Sequence, residues 1–117
     1  MAEHNRIGEA GEKTAVSFLR KKGYQILHQN YRYRRAEIDI IASKGKMLVF
    51  VEVKTRETDL HGWPEESVTW KKRKLLLLTA DHYIHHTDWP HEIRFDIISI
   101  TGTGPSPHIH HIEDAFH

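Results

Sequence analysis

Apolar and polar positions change rhythm several times along the chain. From Asn5 to Lys22 they repeat at helical spacing, with Ile7, Gly11, Ala15, Phe18, Leu19 and Lys22 in step and Gly23 placed to stop the helix. Tyr24 to Arg32 reads as a strand centred on Ile26 and Leu27, and residues 33–36 turn the chain back. Two apolar, β-branched runs then flank the polar Ser43-Lys44-Gly45-Lys46, a hairpin signal that spans Glu37 to Lys54. The strand continues to Arg56, and the polar stretch from Glu57 to Trp63 predicts a surface loop. Pro64 opens a second helix, with Glu65 and Glu66 at its positive end. Val68, Lys72, Leu75, Leu76, Thr79 and Tyr83 form its inner row, and Trp70 is expected in the core rather than as an exposed stacking platform. Ile93 to Ile100 is expected as the last strand, with Asp96 in a structural pair with a cation such as Arg94. Thr101 to Pro107 reads as a Gly/Pro loop. This order predicts one α/β domain over residues 1–117, a mixed central sheet flanked by helices.

The hairpin carries charge where an apolar strand should have none. Glu37 and Asp39 interrupt its first arm, and Glu52 and Lys54 its second. Buried on both faces, such groups are costly unless paired. A turn of even length sets Glu37 opposite Glu52 and Asp39 opposite Phe50, which puts all these charges on one face with Asp39 and Glu52 diagonal. Two readings follow from the spacing. Either a divalent cation sits between the carboxylates, or two salt bridges cross the strands. Oxygen-only ligands suit Mg²⁺ or Mn²⁺, and a Lys two residues beyond a metal carboxylate is placed to hold water or neutralise a phosphate.

Composition narrows the setting. The chain has 117 residues, no cysteine, and no apolar run near the ~20 residues a membrane span needs. It starts without an apolar leader, so cytoplasm is the expected location. Net charge is only +1, but basic residues bunch at Arg20–Lys22, at Arg32–Arg35 and at Lys71–Lys74. Tyr31 and Tyr33 interleave with the second cluster, which makes Arg34 and Arg35 candidates for phosphate contact. Eleven histidines are present, yet His85-His86 and His108-x-His110-His111 lack the His-x-x-x-His spacing that puts two imidazoles on one helical face, and no Cys supports a zinc site.

Asp39 followed by Glu52-Val53-Lys54 resembles the Asp…(Asp/Glu)-x-Lys motif of restriction-endonuclease-like nucleases. A wider string is more specific: Gly8-x-x-Gly11-Glu12, Asn30, Glu37-Ile38-Asp39, Phe50 to Lys54 with Arg56, Ser67-Val68-Thr69, Lys72, Arg94-Phe95-Asp96 and Asp114-Ala115-Phe116. In that order these resemble the uncharacterised bacterial YraN-like family, itself similar to archaeal Holliday-junction resolvases. Ala36 departs from the pattern, which usually has Gly before Glu-Ile-Asp, a change expected to act on the turn.

The resemblance implies a restriction-endonuclease-like fold and a Mg²⁺- or Mn²⁺-dependent endonuclease acting on DNA, branched or structured. It implies that Asp39, Glu52 and the Val53 carbonyl bind the metal, with Glu12 completing its surroundings. Lys54 would position the attacking water, and Lys72 and Arg56 would contact phosphate. By analogy with resolvases it also implies a homodimer. A binding module on the same fold, recognising nucleic acid or a protein without hydrolysis, is the alternative reading.

Overall fold

The most apolar arm of the hairpin lies at the centre of the molecule. The computed structural model describes residues 2–56, 68–102 and 105–117, with backbone alone for residues 2–7. In chain order the elements are α1 (Ala2–Lys21), β1 (Gln25–Tyr33), β2 (Ala36–Lys44), β3 (Met47–Arg56), α2 (Trp70–Thr87), β4 (Glu92–Thr101) and β5 (His108–Ile112). The strands form one sheet in the order β1-β2-β3-β4-β5. Only β3 and β4 run parallel, and α2 lies in the crossover that such a pair requires. The fold is α/β with a mixed central sheet flanked by helices, consistent with a nuclease-like fold.

Helices cover both faces. Ala15, Val16 and Leu19 of α1 pack on Ile40, Ala42, Val49, Val51, Ile98 and Ile100. Leu76 and Ala80 of α2 pack on Ile41, Leu48, Phe50, Phe95 and Ile97 on the other side. A strand buried on both faces has no polar side to alternate with, which explains the unbroken Leu48-Val49-Phe50-Val51 run. Gly23 ends α1 at φ +93°, and the Tyr24 N–H closes back on the Leu19 carbonyl at 3.0 Å. A Cβ on Gly11 would run into the Thr55 side chain, so α1 lies directly on β3 because that position has none.

Three expectations need correction. The hairpin turn is only Gly45 and Lys46, with Lys44 paired to Met47 and Ile41 facing Phe50. The Gly45 φ of +59° permits that tight connection. Helix α2 starts at Trp70, capped by the Thr69 hydroxyl, which accepts the Lys72 N–H. Pro64, Glu65, Glu66 and the Glu57–Trp63 stretch lie outside the described residues. Its buried row is Leu76, Thr79 and Ala80, which turns Leu75 partly and Trp70 largely into solvent. Trp70 is 69% exposed with the Lys74 ammonium over its ring at 4.4 Å, so it is no core anchor.

Ile93–Ile100 is not the last strand either. The chain returns as β5, antiparallel to β4. Its His-rich sequence hides an inward-facing position, because His111 fits a buried polar site built around Asp96. Asp96 accepts bonds from Arg94 Nε and Nη2 at 2.8 Å each, from His111 Nε2 at 2.7 Å and from the Asp114 N–H at 3.0 Å. Burial pushes its carboxyl up, but these donors outweigh it and hold the group below the ordinary carboxylate range. The structural pairing of Asp96 with Arg94 is as expected. Phe116 docks beside Phe95 at 5.1 Å and completes the α2 side.

Candidate active site

Strict alternation would put Ile38 and Ile40 on one face of β2. They lie on opposite faces, Ile38 toward α2 and Ile40 toward α1, so the strand rolls over at Asp39. The neighbouring strand is irregular at the same point. Asn30 has φ +55° between the flanking pairs Gln29↔Ile40 and Tyr31↔Ile38. Asn is among the few non-glycine residues that tolerate that conformation.

The roll aims the Asp39 side chain along the sheet rather than off it. Its Oδ2 accepts the Val53 N–H at 2.7 Å. One further step of the β2–β3 register, past Ile40↔Val51, sets Asp39 across from Glu52. That register does not give the diagonal arrangement expected of the two carboxylates. Alternation from Ile38 turns Glu37 away from the Glu52 side, where it pairs with Arg32 at 2.7 Å. The expectation of every hairpin charge on one face fails for this reason.

Glu52 is 9% exposed and points toward α2, where Lys72 Nζ meets its Oε1 at 2.7 Å. Glu12 comes from the other face, its Oε1 held by Asn30 Nδ2 at 3.0 Å. Asp39 stands between them. Burial, then the charge of Glu52, raises the Asp39 pKa to about 7 against the opposing Val53 N–H, and Glu12 and Glu37 add to the rise. Glu12 is raised as well, by burial first and then by Glu37, Glu52 and Glu9. The sheet end thus concentrates negative charge that the described cations only partly relieve.

The other expected residues divide into near and far. Lys54 follows Glu52 by two positions on β3, shares its face, is half-buried, and makes no side-chain hydrogen bond or ion pair among the described residues. Lys72 reaches the site but is engaged by Glu52. Arg56 ends β3, its carbonyl accepting the Gly102 N–H at 2.8 Å. Arg34 and Arg35 form the exposed β1–β2 turn, beside a shallow depression of about 340 Å³ shared with Arg32, Ala36 and Glu37. The positive φ of that turn falls on Arg34 at 58°, and Ala36 keeps a negative one, so its lack of glycine costs the turn nothing. The sequence reading gave Asn30 no role, although it both supports the roll and holds Glu12. Its signal was an Asn in mid-strand, where that residue type is depleted.

The donor set fits Mg²⁺ or Mn²⁺. The side chains brought together there, Asp39 and Glu52, offer oxygen only. Asp39 Oδ1 and Glu52 Oε2 accept no hydrogen bond among the described residues. No three His, Asp or Glu side chains among the described residues converge closely enough to hold a metal by themselves. Mg²⁺ needs only one or two carboxylates, with waters and substrate oxygens completing its shell.

The model of the uncharacterised protein family UPF0102 matches residues 11–100, which include Glu12, Asn30, Asp39, Glu52, Lys54 and Lys72. A UPF0102 protein of Christiangramia forsetii is 47% identical over 116 residues, covering 99% of this chain and 98% of its own length. One from Flavobacterium psychrophilum is 47% identical over 117 residues, 100% of this chain and 98% of its own. A relative in Bacteroides thetaiotaomicron is 44% identical over 117 residues, with 100% and 97% covered. The chain belongs to this family, that of the YraN-like proteins.

Proposed function

We propose that this UPF0102 member is a divalent-metal-dependent endonuclease of the cytoplasm that hydrolyses phosphodiester bonds in DNA, branched or structured by resemblance. The observation that carries the reading is Asp39. It is a half-buried carboxylate with a pKa near 7, close enough to Glu52 to feel its charge, fixed by the Val53 N–H, with Lys54 on the adjacent strand unengaged among the described residues. A structural salt-bridge pair has no need of that arrangement, whereas a cation site does.

Asp39, Glu52 and the Val53 carbonyl would hold Mg²⁺ or Mn²⁺. Bound there, the ion supplies Lewis acidity to the scissile phosphate and lowers the pKa of water. The residues of the chain do the rest. Lys54 holds the attacking water and sets positive charge beside the phosphorane oxygens as the new P–O bond forms and the old ester bond breaks. The attacking water gives up its proton to solvent, and the leaving oxygen takes up a proton from a solvent water. Glu12, fixed by Asn30, orients solvent at the edge of the site, and Arg56, Arg34 and Arg35 meet phosphates. Lys72 contacts phosphate when it leaves Glu52. A homodimer would place a second such site for the opposite strand.

One observation favours the non-catalytic binding module. The Lys72–Glu52 ion pair already supplies Glu52 with a positive partner. Cleavage separates the readings. Labelled duplex, single-stranded, flap and four-way-junction DNA are incubated with Mn²⁺ or Mg²⁺ beside the Asp39→Asn and Lys54→Ala variants. The proposal expects metal-dependent cutting that both variants abolish while binding survives. Cutting by either variant at the wild-type rate would sink the assignment, and salt-sensitive binding with no cutting by any form would favour the module.

A further inference from the structure

The basic run at the end of α1 splits on folding. Lys22 reaches toward β5, with Nζ at 2.8 Å from His111 Nδ1 and over the Phe18 ring at 5.1 Å. Arg20 and Lys21 turn outward instead. With Lys13 and Ser17 they line one wall of an open groove of about 590 Å³, floored by Val16, whose other wall is Gln29 of β1. Lys13, Arg20 and Lys21 make no ion pair or hydrogen bond with any described residue. Three unneutralised cations along one groove leave a positive field there in a protein whose net charge is only +1.

The position of the groove gives it a direction. β1 is an edge strand, paired only with β2 among the described residues, so the groove runs along that edge of the sheet. Lys13 and Arg20 are about 10 Å apart along the helix axis. Next to Lys13 in sequence is Glu12, and next to Gln29 is Asn30, the pair that forms the near edge of the carboxylate site. Beyond it, the same strand leads after about 13 Å to Arg34 and its turn. Basic residues thus stand on both sides of the acids along a single edge.

We propose that the α1–β1 groove holds the phosphodiester backbone of a nucleic-acid strand and leads it to the carboxylates. This rests on the nuclease reading for what lies at the groove's end, but not for the binding itself. Cations on a groove wall with no base-reading geometry suit backbone contact, independent of sequence.

The test is fluorescence anisotropy with a labelled single-stranded 30-mer in EDTA, which removes cleavage from the measurement. Lys13→Glu/Arg20→Glu is compared with Lys46→Glu/Lys74→Glu, the same change of charge at the β2–β3 turn and on α2 across the sheet. All four side chains are exposed, and thermal melts verify folding. The groove pair is expected to weaken binding about tenfold or more and to reduce the slope of log affinity on log salt by about 1.4. The control is expected to change affinity less than about threefold. Equal losses in both pairs, or no binding by the wild type, would overturn the proposal. So would displacement of the strand by poly-glutamate as readily as by unlabelled DNA, which would assign the groove to an acidic protein. A nuclease reading that fails by absence of cutting leaves these outcomes unchanged.

Discussion

The Val53 N–H donates to Asp39 Oδ2 across 2.7 Å, so a carboxylate of β2 is held by the backbone of the residue between Glu52 and Lys54. That single bond ties the acid of one strand to the Glu-x-Lys of the next. It also places Asp39 where burial and Glu52 raise its pKa to about 7.

Asp39 therefore makes stability depend on pH. Its folded pKa lies above the unfolded value of 3.8, so its contribution is full below about pH 4 and is lost as pH rises through about 7. In EDTA, Asp39→Asn is expected to melt about 4 °C or more above wild type at pH 8. The gain should shrink toward zero as pH falls to 4. Thermal melts across that range check this, and a variant less stable than wild type at pH 8 would contradict it.

Asp96 has the opposite sign. Its donors hold its folded pKa below the unfolded one, so its stabilisation is present above the ordinary carboxylate range and is lost as pH falls through the lowered value. Asp96→Ala strands Arg94 and is expected to cost about 3–5 kcal/mol at pH 7. Urea unfolding at pH 7 and pH 3 measures it. The difference between wild type and variant should be smaller at pH 3, and a difference that grows there would refute the assignment.

Gly11 and Gly8 supply a matched pair. Gly11→Ala forces a Cβ into Thr55 and is expected to cost about 1–3 kcal/mol, lifting α1 and Glu12 away from the site. Nothing lies within 4 Å of a Cβ at Gly8, so Gly8→Ala should be neutral or stabilising by up to about 1 kcal/mol. Equal effects from the two substitutions in chemical denaturation would mean that α1 does not sit on β3 as described.

Removing the cation from Glu52 tests the ion pair. Lys72→Met is expected to destabilise by about 1–3 kcal/mol, since Glu52 is nearly buried while Lys72 is partly solvated. Adding Glu52→Gln should return part of that loss. A double variant no better than the sum of the singles would show that the pair carries no coupling.

Much of this was legible in the chain because its signals are local. The even-length turn, Gly23 as a stop and the apolar β3 run each follow from a few adjacent residues, and all appear in the fold. What was not legible depends on partners distant in sequence. The roll at Asp39 requires Asn30 on another strand, and β5 requires Asp96 and Lys22 to accommodate His111. Trp70 was misplaced because helical spacing fixes which residues share a row, not which row the sheet covers.

The account stands on a divalent cation at Asp39 and Glu52. Calorimetric titration of the full chain with Mn²⁺ at pH 7.5, beside Asp39→Ala and Glu52→Gln, tests this most directly. Saturable binding of one ion, lost in both variants and accompanied by proton release from the raised Asp39 carboxyl, is the predicted result. Binding that survives both substitutions, or none by the wild type, would contradict it.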